Sequence, residues 1–366
     1  MLAYLKKEKV LTISLILAVV SMFFVLPDAG YLEYVDVRTL ALLWGLMLLV
    51  KGFASIGVFD LLIEKLFGRV KTARSLALLL MLVCFFSSML ITNDVALITF
   101  VPFGLMALSL CGQSRRAIPV VVLQTIAANL GSMATPIGNP QNLYLFSASG
   151  MGMGEFFSAV LPLAGASLVL LMLATLVIPA EPIRMDIQKA SARMPKAELL
   201  TYAALFIVNL LVVFRVIGWL PALIVTALGV LILKKPALFK EVDYALLLTF
   251  VGFFIFVGNL GRIEVISRWI ASLLTGREVL VSALMSQALS NVPAAILLSG
   301  FTDNFTALLQ GVNIGGLGTI IASMASLISY KLYAAGEGAQ PGKYMLTFTL
   351  YNVIGLVLLL GLSAIL

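Results

Sequence analysis

Histidine is absent from this chain of 366 residues, and cysteine and charged residues are scarce. Without histidine, no imidazole can act as a general base, a proton relay or a metal ligand. Cys84 lies in an apolar run and Cys111 at a predicted helix end, so the two cysteines indicate neither a disulfide framework nor a metal site. Acid–base chemistry at a site must therefore come from the few carboxylates, amines and hydroxyl groups.

Hydrophobic residues, in contrast, make up 61% of the chain, and the mean hydropathy is +1.11. Many apolar runs reach the roughly 17 to 25 residues that a helix needs to span the hydrocarbon core of a bilayer. These runs leave no room for a soluble domain of useful size. The composition predicts an all-α polytopic membrane protein. The net charge of +7 then records membrane orientation, and we do not expect nucleic-acid binding.

The first apolar run, 10–25, follows Lys6, Lys7 and Lys9, as the apolar part of a secretory signal does. No small-residue cleavage site follows it, so we expect residues 1–37 to form an uncleaved first helix and an outer loop. Lys and Arg concentrate in alternate loops, which predicts a cytoplasmic N-terminus and an external C-terminus. Residues 181–243 are expected to be a linker with connecting transmembrane helices.

Two glycine-rich interruptions lie inside long apolar segments. They read NLGSMATPIGNP at 129–140 and NIGGLGTIIASM at 313–324. In these strings Asn129 matches Asn313, Gly131 matches Gly315, and Thr135 matches Thr319. Irregular backbone at membrane depth is tolerated only where protein or a water-filled cavity covers it. Paired interruptions in two halves of a chain are typical of the binding site of a transporter.

The same order of elements occurs in both halves: a helix, an amphipathic helix, a hairpin, a broken helix and a closing helix. The first half, 38–180, has its hairpin at about 76–110 and its broken helix at about 117–148. The second half, 244–366, has its hairpin at about 279–300 and its broken helix at about 306–333. Basic clusters flank the first hairpin, and the two halves begin on opposite sides. The pattern predicts inverted-topology repeats with re-entrant hairpins.

Hairpin tips and helix breaks leave backbone N–H groups without partners, and helix N-termini carry partial positive charge. Such helix ends bind anions. If the tips and breaks converge near the membrane midplane, they form a pocket for a small anion. The predicted substrate-binding residues are Thr92, Asn93, Asn129, Thr135, Asn139, Asn142, Ser290, Asn291, Asn313, Thr319 and Ser323.

The predicted coupling-ion residues are Asp94, Asn93, Asn291 and the carbonyl-bearing Gly131 and Gly315. Asp94 is the only carboxylate at a break, and an ionised carboxylate at membrane depth is expensive, so we expect it to bind Na⁺ or a proton. No other cofactor is expected. The alternative for Asp94 is a helix N-cap. The alternative for the paired asparagines is a structural bond between helices.

Four strings in this chain resemble the ion transporter superfamily, whose members share a citrate-transporter-like domain. The strings are TNDVALITFVP at 92–102, ANLGSMATPIGNPQN at 128–142, SNVPAAILLSG at 290–300 and GVNIGGLGTIIASMASL at 311–327. The superfamily includes arsenite permeases, divalent anion/sodium symporters and some Na⁺/H⁺ antiporters. The resemblance implies paired inverted repeats, separate scaffold and transport regions, a homodimer and an elevator-type motion.

Dicarboxylate symporters of this superfamily carry a Ser-Asn-Thr triplet at both hairpin tips, where it helps to hold Na⁺ and the substrate carboxylates. This chain has Asp94 and Val292 where those symporters have threonine. The Asn-Asp pair at the first tip is similar to the arsenite-permease branch.

The leading hypothesis is a secondary active transporter in the cytoplasmic membrane. It would carry a small carboxylate or oxyanion coupled to Na⁺ or H⁺. The alternatives are a Na⁺/H⁺ antiporter and an arsenite-type efflux permease. Inverted repeats with re-entrant hairpins disfavour a channel. An intramembrane enzyme is also disfavoured, because no second carboxylate accompanies Asp94 in the sequence pattern.

Overall fold

The computed structural model describes residues 8–59, 61, 70–183, 195–336 and 338–365. In these residues every regular element is a helix, and the one β feature is an isolated bridge between Thr72 and Pro182. Within the same residues, seven helices are long and apolar enough to cross a membrane. The predicted all-α polytopic membrane fold is confirmed.

The helices are numbered here in chain order. They are α1 Lys9–Met22, α2 Tyr31–Tyr34, α3 Val37–Ser55, α4 Ala73–Ile91, α5 Asn93–Leu110, α6 Ala117–Ser132, α7 Pro140–Ser149, α8 Met153–Thr175, α9 Lys196–Val213, α10 Trp219–Ile232, α11 Tyr244–Arg262, α12 Glu264–Leu274, α13 Glu278–Leu289, α14 Asn291–Ser299, α15 Phe305–Ile314, α16 Met324–Ala334 and α17 Pro341–Ser363. The helices of spanning length are α3, α4, α5, α8, α9, α11 and α17.

Two helical hairpins have the same unusual backbone at their tips. The first hairpin is α4 with α5, joined at Thr92, and the second is α13 with α14, joined at Ser290. Thr92 has φ 71° and ψ 154°, and Ser290 has φ 76° and ψ 152°. This region of backbone space is almost exclusive to glycine, so both tips are strained.

The limbs of the two hairpins differ in length. Those of the first have 19 and 18 residues, and those of the second have 12 and 9. At a rise of about 1.5 Å per residue, either limb of the first hairpin is long enough to reach across the apolar core of a bilayer. Re-entry of the first hairpin therefore stays a prediction.

Two broken helices complete the repeated pattern. The first is α6 with α7, and the second is α15 with α16. The opening half of each packs against the hairpin of its own repeat, α6 on α4 and α5, and α15 on α13 and α14. The closing half crosses to the other repeat, because α7 contacts α14 and α16 contacts α5. These contacts bring the tips of both hairpins close to the breaks of both broken helices. The inverted topology of the two repeats stays a prediction.

A second, smaller hydrophobic core lies beside the main one. The main core contains the hairpins and broken helices. The smaller core is formed by α3, α9, α10 and the segment that precedes α11, and its largest fully buried side chain is Tyr202. Burial of apolar surface stabilises each cluster. The connecting helices of the 181–243 linker thus pack mainly on α3.

Both ends of the first hairpin contact one short segment, 178–183. The Ala73 N–H donates to the Glu181 carbonyl at 2.9 Å, close to the start of the hairpin. Near its end, Arg115 and Arg116 form ion pairs with the Glu181 carboxylate at 2.7 and 2.6 Å. Most of the amphipathic helix expected before the first hairpin, and most of the basic loop that begins at Glu181, lie outside the described residues.

Candidate functional site

Four helices of the hairpins and broken helices begin at a single cavity. These are α5, α7, α14 and α16, each the closing half of its element. Their N-termini direct partial positive charge into it. The cavity measures about 50 Å³, and its polar lining includes Asn93, Asp94, Gln141, Ser290, Asn291 and Ser323. Five of these six residues were predicted from the sequence, and Gln141 was not.

A larger cavity of about 590 Å³ shares Asp94, Pro140 and Asp243 with the first. Thr92 and Asn139 also line it. Its volume falls within the roughly 300 to 1,000 Å³ of typical small-molecule sites, whereas the smaller cavity has the size of an ion or a few waters. Together they offer room for a small solute beside a smaller polar chamber.

Each hairpin tip is tied to the break of its own repeat by the same hydrogen bond. The Asn93 N–H donates to the Gly138 carbonyl at 3.1 Å, and the Asn291 N–H donates to the Ala322 carbonyl at 2.9 Å. Gly138 and Ala322 occupy matching positions when Asn129 is aligned with Asn313. The local geometry of tip and break is therefore repeated in the two halves.

The paired asparagines Asn129 and Asn313 accept hydrogen bonds across the two repeats. Oδ1 of Asn129 accepts from Ser323 Oγ at 3.0 Å. Oδ1 of Asn313 accepts from Asn139 Nδ2 at 3.1 Å. Asn129 Oδ1 also accepts from Asn93 Nδ2 at 3.1 Å, so it lies directly behind a side chain of the cavity wall.

The amide nitrogens of Asn129 and Asn313 also donate hydrogen bonds to side chains of the other repeat. Asn129 Nδ2 donates to Ser326 Oγ at 3.2 Å, and Asn313 Nδ2 donates to Asn142 Oδ1 at 2.7 Å. Ser326 was missed by the sequence reasoning, although it matches Asn142 in the repeat alignment. These contacts realise the structural role that was the alternative for both asparagines. They also fix the cavity wall, because Asn93 and Ser323 bond directly to Asn129.

Another matched pair of predicted residues, Thr135 and Thr319, contacts the first limb of the hairpin in each repeat. Thr135 Oγ1 donates to the Met89 carbonyl, and Thr319 Oγ1 donates to the Gln287 carbonyl.

Gly131 and Gly315 lie where a hairpin limb crosses the broken helix. A Cβ there would lie 2.1 Å from the Phe85 carbonyl oxygen or 2.8 Å from the Ala283 Cα. The observed contacts of these glycines are thus packing contacts, and their role as carbonyl ligands stays a prediction.

Asp94 is the second residue of α5, and Thr92 occupies the N-cap position instead. The Asp94 N–H donates to Asn93 Oδ1 at 3.0 Å. Among the described residues, its carboxylate has no hydrogen bond and no ion pair, and it faces both cavities. A carboxylate with these surroundings can bind a cation or a proton.

Asp94 is the only carboxylate at a helix break in the described residues, but it is not the only acid that lines the cavity. Asp243 and Glu8, from the starts of α11 and α1, line the same cavity. Both come from helix ends far from the breaks in sequence, so the break pattern did not reveal them. Asp243 also caps α11 by accepting the Leu246 N–H at 2.9 Å, as Asp36 caps α3. Asp36 lines neither cavity, so the cap alone does not mark a site residue.

Two further features of the lining bear on its chemistry. Ser290 is 2% exposed, and its hydroxyl has no hydrogen-bond partner in the described part of the chain. Lys51 and Lys240 line the larger cavity together with the acids, so its charge is mixed. No group of three acidic, cysteine or histidine residues in the described ranges is arranged to hold a metal ion.

Comparison with known proteins identifies the family of this chain. Residues 1–324 match the citrate transporter family, CitMHS. The inner membrane protein YbiR of Escherichia coli is 32% identical over 96% of this chain and 95% of its own length. An uncharacterized transporter of Methanocaldococcus jannaschii, MJ0456, is 31% identical over 90% of each chain.

A shorter match covers the silicon efflux transporter LSI3 of rice, which is 33% identical over 38% of this chain and 29% of its own length. The expected resemblance to the ion transporter superfamily is confirmed. The chain belongs to the citrate transporter family and is a multi-pass membrane transporter.

Proposed function

We propose that this protein is a secondary active transporter that carries a small carboxylate or oxyanion across the cytoplasmic membrane together with Na⁺ or H⁺. The observation that carries the proposal is the meeting of four helix N-termini at a cavity that is also lined by Asp94, whose carboxylate has no ion pair in the described part of the chain. Helix N-termini favour an anion, and the carboxylate favours a cation.

The two charges explain why anion and cation would travel together. An ionised Asp94 beside the helix N-termini repels an anion, so a cation or proton on Asp94 raises anion affinity. By linkage, the anion raises cation affinity by the same factor. The family match to citrate transporters and the shorter match to a silicon efflux transporter support a small oxygen-rich acid as the substrate class.

The same proposal includes an elevator-type motion of the hairpins and broken helices against the smaller core of α3, α9 and α10. The buried cluster around Tyr202, which joins α3, α9 and α10, supports a scaffold role for these helices, and the main core continues from the transport region onto them through Leu42 and Val213. We further propose a homodimer with its N-terminus in the cytoplasm and its C-terminus outside.

The test is uptake of labelled anions into proteoliposomes that contain the purified protein. Citrate, smaller carboxylates, arsenite and silicate are offered with a Na⁺ gradient, a pH gradient or neither. We expect one of these solutes to accumulate only with a cation gradient. Asn291→Ala, in the cavity wall, should reduce uptake, whereas Asn352→Ala, buried in α17 and bonded to its own helix at Phe348, is the control. Gradient-independent equilibration of every solute would contradict the proposal.

A second candidate, a Na⁺/H⁺ antiporter, is favoured by the three acids Glu8, Asp94 and Asp243 on one cavity. The same proteoliposomes distinguish it. When Na⁺ is added outside with no anion present, an antiporter makes the lumen alkaline because Na⁺ enters in exchange for H⁺, whereas a symporter moves no cation without its anion. An arsenite-type efflux permease would instead carry arsenite in preference to the carboxylates.

A further inference from the structure

The side chain of Gln287 is inserted into the break of the second broken helix. Gln287 lies on α13, less than one turn before the tip residue Ser290. Its Nε2 donates to the carbonyl oxygens of Gly315 and Leu317 at 3.0 and 2.9 Å, and to that of Ala283 at 3.0 Å. Its Oε1 accepts the Thr319 N–H at 2.9 Å. The amide is oriented unambiguously, because the reverse orientation would set its oxygen against three carbonyl oxygens.

Three carbonyl oxygens around one electropositive group form the type of environment that a broken helix offers to a cation. Here the neutral amide of Gln287 fills that position with two N–H donors, whose hydrogens carry partial positive charge. The break is built to admit this side chain, because Gly318 has φ 104° and any Cβ there would lie 2.1 Å from Gln287 Oε1.

The first repeat differs at the matching positions. Aligning Thr92 with Ser290 sets Met89 opposite Gln287 and Asp94 opposite Val292. Met89 has no donor to offer, and the break carbonyls of Met133 and Thr135 accept from Asn142 Nδ2 at 3.1 and 3.0 Å. The first tip thus carries an unpaired carboxylate, whereas the second carries an apolar side chain and an amide donor.

We propose that the Gln287 amide takes the place of a second coupling cation, so that each chain binds a single Na⁺ or H⁺, at Asp94. This inference rests on the proposed cation-coupled transport and adds its stoichiometry. It also departs from the symmetric expectation, in which Gly131 and Gly315 both helped to hold an ion. With one cation per cycle, a singly charged anion would cross without net charge movement.

The test counts cations on the purified full-length protein at pH 8. Bound ²²Na⁺ is measured at saturation, and the infrared carbonyl band of a protonated carboxyl reports a proton that takes its place. We expect one cation per chain in the wild type and none in Asp94→Asn. Two cations in the wild type, or one that survives in Asp94→Asn, would overturn the inference but leave cation coupling intact. No cation in the wild type would overturn the proposed function as well.

Gln287→Glu tests the same site because it should add a cation-binding group. It replaces the donor with a carboxylate facing carbonyl oxygens, so the variant must take up an additional Na⁺ or proton. The number of cations bound per chain should rise from one in the wild type to two in this variant. The matched control is Gln310→Glu, because Gln310 Nε2 contacts a single carbonyl, that of Ala159, at 2.9 Å. If folded Gln287→Glu binds the same number of cations as the wild type, the proposal is contradicted. If that variant does not fold, the number of cations bound by the wild type and by Asp94→Asn remains the test.

Discussion

Asn139 donates a hydrogen bond from Nδ2 to Oδ1 of Asn313 at 3.1 Å, which joins the break of one repeat to the paired asparagine of the other. The matching bond in the opposite direction runs from Ser323 to Asn129 at 3.0 Å. The two broken helices are therefore held together by a reciprocal pair of buried bonds, and the four helix N-termini keep their positions around the cavity.

Asn313→Ala should destabilise the protein and reduce transport. It removes the hydrogen bond that Asn142 Oδ1 accepts and one of the two acceptors of Asn139 Nδ2, and an unsatisfied buried polar group costs about 1–3 kcal/mol. The thermal unfolding temperature and proteoliposome uptake measure the two effects. Asn352→Ala, the buried control in α17, should alter stability without a comparable loss of transport. Equal uptake in the two variants would show that the crossed bonds do not support the site.

Glycine at the hairpin tips should stabilise the fold. Thr92 and Ser290 have a backbone conformation that side chains disfavour by about 1–3 kcal/mol, so Thr92→Gly and Ser290→Gly relieve strain. We expect higher unfolding temperatures together with altered transport, because the tips line the cavities. Ser158→Gly, at an exposed position inside α8, is the control and should lose about 0.5–1 kcal/mol. If Thr92→Gly and Ser290→Gly both lower the unfolding temperature, the conclusion that the tips are strained is contradicted.

Acidification should break the ion pairs that Glu181 forms with Arg115 and Arg116 near the end of the first hairpin. Hydrogen bonds from Arg116, Arg115 and Gln113 lower the pKa of Glu181 from its ordinary 4.5 to about 2. A lowered pKa stabilises the folded state above the ordinary value, and that stabilisation disappears as the pH falls through the folded-state value. The unfolding temperature of Glu181→Gln should therefore lie below that of the wild type at neutral pH.

That difference should narrow below pH 4.5 and vanish near pH 2, given the lowered pKa of Glu181. Glu33→Gln serves as the control, since Glu33 takes part in none of the ion pairs of the described residues. If the difference in unfolding temperature between the wild type and Glu181→Gln persists unchanged at pH 2, the ion pairs of Glu181 are not its origin.

The inverted topology predicts that the two hairpins open to opposite sides of the membrane. With Cys111 changed to serine, a single cysteine at Ser114 should react with an impermeant reagent only from the cytoplasm. A cysteine at Asp303, beyond the second hairpin, should react only from outside. Both positions are exposed, and Cys84 is buried. Labelling of both from one side would refute the inverted repeats.

The breaks, the tips and the paired asparagines could be predicted from the sequence, because glycine, proline and asparagine stand out in apolar segments. The partners of those residues could not. Ser326 and Gln287 are single polar residues within helices, and their contacts depend on which helices cross. Asp243 reaches the cavity from the start of α11, so the sequence pattern around the breaks carried no sign of it.

The ion dependence of transport by Asp94→Asn tests the central claim most directly. The account predicts that this variant loses its response to Na⁺ and pH gradients while retaining weak anion transport, because asparagine keeps the shape of the side chain without a charge to neutralise. Asp36→Asn, at an acid that caps α3 and lines neither cavity, is the matched control and should keep the gradient response. Transport by Asp94→Asn with an unchanged dependence on Na⁺ and pH would contradict cation coupling at Asp94.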